Sequence, residues 1–220
     1  MQPTAARRDA DAIRYIVLRK LASGLRHTLM GELQSIQFLA ELGARRMENS
    51  ADDGSKTRDF IAKISVAANE AIGTCHSVIE WLRPEEGAVT TLGEAVGQCV
   101  KLAGDDWRMR ATQATIEMPA PAGGAKISKS AARELIVTSV LALTDQHPGS
   151  LDIEVVGALM GDSVDLRLRA LASKRAPPLP SSVVYHALGW EDVALLAAAH
   201  DVICTRDSAT STLRFAVLAA

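Results

Sequence analysis

The first 83 residues contain almost nothing that breaks a helix. From about Asp9 to Glu48 the chain is built of Ala, Leu, Arg, Glu, Gln and Met with scattered small residues, a composition that favours helix. At 1.5 Å per residue this stretch predicts a helix about 60 Å long. The first turn formers come at Asn49 to Ser55, and a second long helix is predicted from about Lys56 to Arg83, where Pro84 ends it. Two long helices joined by a short loop predict an antiparallel hairpin.

Both predicted helices carry apolar residues at alternating steps of three and four, the spacing of a coiled coil or helical bundle. The stripe of the first helix consists of Leu18, Ala22, Leu25, Leu29, Leu33, Ile36, Ala40 and Gly43, widened by Leu21, Leu39 and Leu42. The stripe of the second consists of Ile61, Ile64, Ala68, Ala71, Cys75, Val78 and Leu82. Because a lone hairpin cannot cover stripes this wide, we expect a homodimer with a four-helix bundle. The alternative is that both helices pack on the rest of the same chain.

Composition excludes several classes of partner. The chain has 220 residues and a formal net charge of −2, so it lacks the basic surplus expected of a protein that binds nucleic acid. No apolar run approaches the roughly 18 to 20 residues that span a bilayer, and the N-terminus has no apolar core that would make it a secretory signal. The three cysteines are far apart and form no CxxC pair, which argues against a disulfide frame or a zinc site. We therefore expect a cytoplasmic protein with neither nucleic acid nor membrane as partner.

After Pro84 and a short linker, the pattern becomes that of an α/β domain. Helices are predicted at 92–103, 128–145 and 183–200, and strands at 114–118, 151–158, 163–172, 201–205 and 212–218. Thr91 is expected to cap the first of these helices. The order α-β-α-β-β-α-β-β predicts helices on one face of a mixed sheet. The fold class is therefore α+β, with a helical hairpin at 9–84 and an α/β domain at 88–220.

One segment of the first helix, Leu25 to Ile36 (LRHTLMGELQSI), resembles the phosphoacceptor helix of bacterial sensor histidine kinases, with His27 in the place of the phosphorylated histidine. Three other segments are similar to parts of the kinases' ATP-binding domain: the asparagine-box helix at 132–148, the helix after the last glycine box at 188–200, and the closing strand at 214–218. The resemblance covers roughly residues 10 to 220. It implies that 9–84 serves dimerisation and histidine phosphotransfer, and that 88–220 has a kinase-like ATP-binding fold.

The same comparison predicts that the nucleotide site has degenerated. The positions whose side chains hold Mg²⁺ and triphosphate in the kinases are Thr138 and Ala142 here, and the helix contains no asparagine. The region expected to carry the kinases' Asp-x-Gly-x-Gly element, 171–178, has neither Asp nor Gly, and the glycine-rich lid is reduced to Gly189. Without backbone N–H cradles or a metal ligand, nothing offsets the charges of ATP. We therefore expect no bound cofactor and no autokinase activity.

A second departure lies beside His27. Active kinases usually follow the acceptor histidine with Asp or Glu, a carboxylate positioned as general base during attack on ATP, whereas this chain has Thr28. Glu32 lies five residues on and is a poor substitute, because five residues turn the helix by about 500°. Both departures remove groups that the kinases use to transfer phosphate from ATP to the histidine. They leave the groups expected for phosphate exchange with a receiver domain.

Transfer from an aspartyl phosphate requires an accessible imidazole, room for a receiver domain and a rigid platform. His27 lies about 200° around the helix from Leu25 and Leu29, so it is expected to point away from the bundle. The resemblance implies that the receiver supplies the Mg²⁺. The residues predicted to surround the docked receiver are Lys20, Ser23, Gly24, Arg26, Gly31 and Gln34. The plainer interpretation is an ordinary exposed histidine.

These features predict a two-component phosphorelay protein, a dimeric histidine phosphotransferase that passes phosphate between response-regulator receiver aspartates through His27. A non-catalytic pseudokinase scaffold that binds and regulates a receiver or a kinase is the alternative. A receiver phosphatase is a third, weaker hypothesis, because such enzymes often use Thr or Gln four or five residues after the histidine, where this chain has Gly31 and Glu32. His76, next to Cys75 on the second stripe, is expected to be partly buried, and the remaining histidines are expected to be structural.

Overall fold

A computed structural model gives the structure of the chain and describes residues 5–49, 55–82, 87–109, 112–147, 149–174, 187–207 and 210–218. The chain forms two compact units, Ala22–Pro84 and a second unit that combines Met1–Leu21 with Glu85–Ala220. The structure thus places residues 9–21 with the α/β elements, whereas the sequence predicted them as part of the hairpin domain. The assignment of dimerisation and phosphotransfer to 9–84 stays a prediction.

The two long helices are α1 (Ala5–Asn49) and α2 (Ser55–Leu82), within a few residues of the predicted bounds. In the unit 22–84 they run antiparallel, because the contacts pair rising positions of α1 with falling positions of α2. Thr74 Oγ1 donates to Glu32 Oε1 at 3.1 Å, and a Cβ added at Gly43 meets Phe60 Cγ at 3.6 Å. The predicted turn at 49–55 lies largely outside the described residues.

The first part of α1 belongs to the other unit for a physical reason. Ala10, Ile13, Val17 and Leu21, at helical steps of three and four, are almost fully buried there. Leu21 was predicted to widen the bundle stripe, but its burial is within the α/β unit. For residues 10–21, then, the alternative of packing on the rest of the chain is the one observed.

The α/β unit follows the predicted order, with three short elements that the sequence did not predict. Its elements are β1 (Val89–Thr91), α3 (Leu92–Met109), β2 (Gln113–Glu117), α4 (Ala120–Gly123), β3 (Lys126–Ser128), α5 (Lys129–Gln146), β4 (Leu151–Met160), β5 (Ser163–Ala172), α6 (Trp190–Ala199), β6 (Ile203–Arg206) and β7 (Thr210–Ala216). The unpredicted elements are β1, α4 and β3. Helix α6 begins at Trp190, so residues 187–189 of the predicted helix are not helical, and the predicted start at 183 lies within 175–186, outside the described part of the chain.

The main sheet has five strands in the order β2-β4-β5-β7-β6, and β1 pairs with β3 in a separate two-stranded ribbon. Strand β2 is parallel to β4 and the other neighbours in the main sheet are antiparallel, so the predicted mixed sheet is confirmed. Along β4, Leu151, Ile153 and Val155 are buried and alternate with half-buried residues. This period of two indicates a sheet with one face on the core.

Helix α5 lies at the centre of that core. From Ala131 to Thr144 only Arg133 is not buried. Ser128 caps the helix, since its Oγ accepts from the backbone N of Ala131 at 3.4 Å. A central helix buried on all sides is covered by other elements on every face. The predicted cap of α3 is also present, as Thr91 Oγ1 accepts from the backbone N of Glu94 at 3.3 Å.

Candidate functional site

His27 is exposed on α1, in the unit 22–84. The face of α1 that contacts α2 is marked by Glu32, which bonds Thr74. Five residues separate His27 from Glu32, which places His27 about 140° away around the helix. The imidazole is therefore directed away from α2, the orientation that the sequence predicted.

The surface around His27 is open. A Cβ added at Gly31 meets no atom within 4 Å, and Arg26 and Gln34 are exposed. Gly24 is half-buried, and the side chain of Ser23 lies outside the described residues. The structure thus brings four of the six predicted docking residues to the same stretch of helix as His27. Their role in docking stays a prediction.

Lys20 is placed differently from the prediction. It is only 8% exposed, and its Nζ lies 2.7 Å from Asp145 Oδ2 on α5. Helical spacing put Lys20 on the His27 face, but the residue belongs to the part of α1 that is buried in the α/β unit. It is therefore not part of the exposed surface around His27.

Sequence reasoning missed Phe38. This side chain is 64% exposed, and it lies eleven residues after His27, about three turns along the helix and about 20° around it. An aromatic ring left in water on the same stripe as the imidazole is a natural anchor for a protein partner. The signal was present in the sequence, because the spacing that selected Gly31 and Gln34 continues to position 38.

A separate apolar surface lies on the hairpin away from the contact between its helices. Ile61, Ile72 and Ile79 of α2 are each more than half exposed, and helical geometry places them within about 20° of one another. Thr74, which bonds α1, lies about 160° around the helix from Ile72. On α1, Leu33 is also exposed. These three isoleucines share one side of α2, here called the patch, and exposed apolar residues on one helix side mark a candidate site of protein contact.

Glu32 cannot act as a base for His27. Its Oε1 accepts from Thr74, and its Oε2 is buried with no hydrogen-bond partner among the described residues. Both oxygens therefore lie at the contact between the two helices, on a different face from the imidazole. The prediction that Glu32 is a poor substitute for the kinases' acidic residue agrees with this geometry.

The asparagine-box positions lie within the core. Thr138 and Ala142 are completely buried in α5, and Thr138 Oγ1 donates to the carbonyl oxygen of Glu134 at 2.6 Å. At the other predicted remnant, Gly189 is the N-cap residue of α6, and its backbone N donates to Asp192 Oδ2 at 2.8 Å. The hydroxyl of Thr138 and the backbone N–H of Gly189 therefore already have hydrogen-bond partners within the chain. That no nucleotide binds stays a prediction.

The other histidines divide between the two units. His76 is exposed rather than partly buried as predicted, because its helix position faces neither α1 nor a core. His200 Nε2 lies 2.8 Å from Glu134 Oε2, and His147 Nδ1 lies 2.8 Å from the carbonyl oxygen of Leu143. His186 lies outside the described residues. In the described ranges, no three His, Cys, Asp or Glu side chains are grouped as a metal site would require.

The cysteines are free thiols, as predicted. Burial raises the pKa of the Cys99 thiol to about 12 and also raises the pKa of Cys204, so both are poor nucleophiles. Cys75 is exposed on α2. None of the helices in the described part of the chain is both long enough and apolar enough to cross a membrane.

Comparisons with known proteins give similar structures but no related sequences. No family model and no curated protein matches the chain. Among solved structures, the chain is similar to the Acinetobacter baumannii histidine kinase AdeS, with 10% identity and a TM-score of 0.47 over 92% of this chain and 98% of that one. A bacterial phosphotransferase matches over 98% of both chains, with 14% identity and a TM-score of 0.44. The catalytic domain of histidine kinase ThkA covers 60% of this chain and 98% of its own, with 13% identity and a TM-score of 0.46.

Proposed function

We propose that the protein is a histidine phosphotransferase that relays phosphate between the aspartates of response-regulator receiver domains through His27. The observation that carries the proposal is the position of His27. Its imidazole is exposed on the side of α1 that faces away from α2, and Gly31, one turn along the helix, places no side chain beside it. An acceptor of this kind needs access more than it needs catalytic neighbours. No carboxylate base is required, because the phosphoryl donor is a reactive acyl phosphate rather than ATP.

The transfer step balances with the groups on the two proteins. An imidazole nitrogen of His27 attacks the phosphorus of the receiver's aspartyl phosphate, the P–N bond forms, and the P–O bond to the aspartate breaks. The aspartate leaves as a carboxylate, and the proton on the other ring nitrogen passes to water. In the second transfer, a carboxylate oxygen of another receiver's aspartate attacks the phosphorus, the P–O bond forms, the P–N bond breaks, and the imidazole regains its ring proton from water. The receiver brings the Mg²⁺ that offsets the phosphate charge, so this chain needs no metal site of its own.

The surface beside His27 supports docking of an acidic, partly apolar partner. Arg26 offers positive charge for the phosphate or for acidic groups of the receiver, and Gln34 offers an amide on the same face. Phe38 adds an apolar anchor three turns along the helix. Gly31 leaves space between them. We infer that a receiver lies along this stretch of α1.

The apolar patch of Ile61, Ile72 and Ile79 supports the second part of the proposal, a homodimer through a four-helix bundle. A second copy offers the same patch, so a two-fold arrangement covers both at once. The patch and His27 lie on different faces of the hairpin, so dimerisation leaves the imidazole accessible. The α/β unit then serves docking or dimer geometry and not nucleotide.

The decisive experiment measures transfer of labelled phosphate from a receiver to His27. The protein is incubated with receivers that carry radiolabelled aspartyl phosphate, and acid-labile label is expected on the wild-type chain but not on His27→Ala. His76→Ala is the matched control, because His76 is also an exposed histidine on the same hairpin. It should accept label like the wild type. Label on His27→Ala, or its loss in His76→Ala alone, contradicts the proposal.

The same experiment separates the rival functions. A pseudokinase scaffold binds the receiver without taking label, and His27→Ala then still complements a deletion strain. A phosphatase removes the labelled phosphate from the receiver, and no label appears on this chain. Removing the exposed imidazole opens no cavity, so His27→Ala should change stability by no more than about 0.5 kcal/mol.

Calorimetry tests the absence of a nucleotide role. Because Thr138 and Ala142 are buried and the Thr138 hydroxyl is bonded to the carbonyl oxygen of Glu134, titration with Mg-ATP should give no heat of binding. Saturable binding in the micromolar range would instead restore the active kinase as a candidate function.

A further inference from the structure

The N-terminal part of α1, residues 10–21, is here called the strap. Its apolar stripe of Ala10, Ile13, Val17 and Leu21 is almost fully buried in the α/β unit. The opposite side carries exposed residues such as Tyr15 and Arg19. The strap is therefore an amphipathic helix whose apolar side is completely used.

Two cations of the strap reach two buried carboxylates of α5. Arg14 Nε lies 2.8 Å from Glu134 Oε2, and Lys20 Nζ lies 2.7 Å from Asp145 Oδ2. The side chains of Glu134 and Asp145 are only 8% and 5% exposed. Burial lowers the pKa of Arg14, but the neighbouring carboxylates more than offset this, so its pKa lies above the ordinary value. A buried carboxylate without a cation is costly, so each pair needs both partners.

The two carboxylates lie on one face of α5. Positions 134, 138, 142 and 145 follow one another at steps of four, four and three, the spacing of one side of a helix. The cation nearer the start of the strap pairs with the carboxylate nearer the start of α5, so the two helices run in the same direction. Thr138 and Ala142, between the carboxylates, are completely buried.

Each carboxylate also holds one end of α6. Glu134 Oε2 lies 2.8 Å from Nε2 of His200, the residue after the last turn of α6. Asp145 Oδ2 accepts from the backbone N of Leu188 at 2.8 Å, two residues before α6 begins. The strap and α6 therefore share the same two oxygens. One bridge runs from Arg14 through Glu134 to the end of α6, and the other runs from Lys20 through Asp145 to its start.

We propose that the strap and α6 are coupled through Glu134 and Asp145, so that the seated strap fixes both ends of α6. Loss of either cation loosens one end of α6, and displacement of the strap loosens both ends. This inference does not depend on whether His27 carries phosphate.

Amide hydrogen exchange on the full chain tests the two bridges separately. Lys20→Met should speed exchange of the Leu188 amide by about tenfold or more, because water then reaches its acceptor Asp145. Arg14→Met should do the same for the amides of His200 and Val202, which close the last turn of α6 on Ala197. Arg19→Met is the matched control, since Arg19 is exposed and lies over Tyr15.

The proposal is tested by which end of α6 exchanges faster in each variant. If both variants exchange like Arg19→Met, or if each opens both ends of α6 alike in a chain that is otherwise folded, the proposal is wrong. If the single variants unfold, the conservative variants Lys20→Arg and Arg14→Lys are measured instead. Each keeps a cation beside its carboxylate and should keep wild-type exchange at both ends of α6, and faster exchange at the linked end of α6 in either variant overturns the proposal.

Discussion

The two units bury their apolar residues to different extents. In the α/β unit, α5 is buried along almost its whole length, with the sheet, its neighbouring helices and the strap in the same compact unit. In the hairpin unit, Ile61, Ile72 and Ile79 remain more than half exposed. The α/β unit has a large buried core, although Ile203 and Met160 at its surface are about half exposed, whereas the buried apolar residues in the described part of the hairpin unit are Ala67 and Ala71. The difference teaches that the hairpin has little apolar core of its own, which is why the proposed partners are placed there.

The same contrast extends to the polar groups. In the α/β unit, the carboxylates of Glu134 and Asp145 are consumed by internal bridges. In the hairpin, His27, Arg26 and Gln34 are left in water. Groups that are satisfied internally stabilise a fold, whereas exposed groups on a rigid helix are available for recognition. Chemistry is therefore expected at the hairpin and not at Glu134 and Asp145 of α5.

The largest effects are expected from a pair of adjacent substitutions in α2. Ala71 is 6% exposed and Ile72 is 54% exposed. Ala71→Asp places an unpaired charge inside the hairpin and should cost on the order of 3 to 5 kcal/mol, enough to unfold that unit. Ile72→Asp places the charge on the exposed patch, so it should split the dimer and leave the helices folded. Circular dichroism and analytical ultracentrifugation measure the two outcomes.

Ala62→Asp is the control, because Ala62 is exposed and lies about 100° around the helix from Ile61, away from the patch. It should remain a folded dimer. A wild-type protein that is monomeric at tens of micromolar would contradict the proposed homodimer. If Ile72→Asp sediments like the wild type, the patch is not the dimer interface.

Much of the fold was predictable because local signals agreed with the final structure. The absence of breakers before Pro84 predicted both long helices, and alternation predicted β4 and β5 almost to the residue. The cap formed by Thr91 and Glu94 was readable from their spacing. The short elements β1, α4 and β3 were missed because three or four residues carry no usable period. The position of His27 on an open face also followed from the helical wheel.

What the sequence did not predict depends on contacts between distant residues. A continuous helical pattern from Asp9 to Glu48 gave no sign that α1 changes its surroundings after Leu21. The pairing of Lys20 with Asp145, 125 positions later, decides that Lys20 is buried rather than on the docking face. Likewise, periodicity marked Ala71 and Ile61 as one stripe, although the first is buried in the hairpin and the second is exposed.

A smaller effect is expected from acid in the α/β unit. Arg214 donates to Asp165 Oδ1 at 2.6 Å and to Oδ2 at 2.9 Å, and these hydrogen bonds hold the pKa of Asp165 below its ordinary 3.8. A lowered pKa stabilises the fold above that value, and the stabilisation is lost as the pH falls through the lower pKa of the folded state. Asp165→Asn should therefore cost about 2 kcal/mol at neutral pH and less in acid.

Urea titrations at neutral pH and at about pH 2 to 3 measure this difference. Asp162→Asn, at an exposed turn beside β5, should change stability little at either pH. An Asp165→Asn variant that loses as much stability in acid as at neutral pH contradicts the role of the ion pair. The hairpin unit should unfold with the same pH dependence in all three proteins, which would sharpen the contrast between the units.

The smallest effect on stability is expected at Gly31. Leucine in place of glycine inside an exposed helix adds roughly 0.5 to 1 kcal/mol, and the open space at Gly31 means that no neighbour must move. The same side chain lies one turn from His27, where it obstructs an approaching receiver. Gly73→Leu on α2 is the matched control, because a Cβ there also meets no atom within 4 Å and the position is exposed. Both variants should melt higher than the wild type, but only Gly31→Leu should lose phosphotransfer. Equal transfer by the two variants would show that the face cleared by Gly31 is not where the receiver docks.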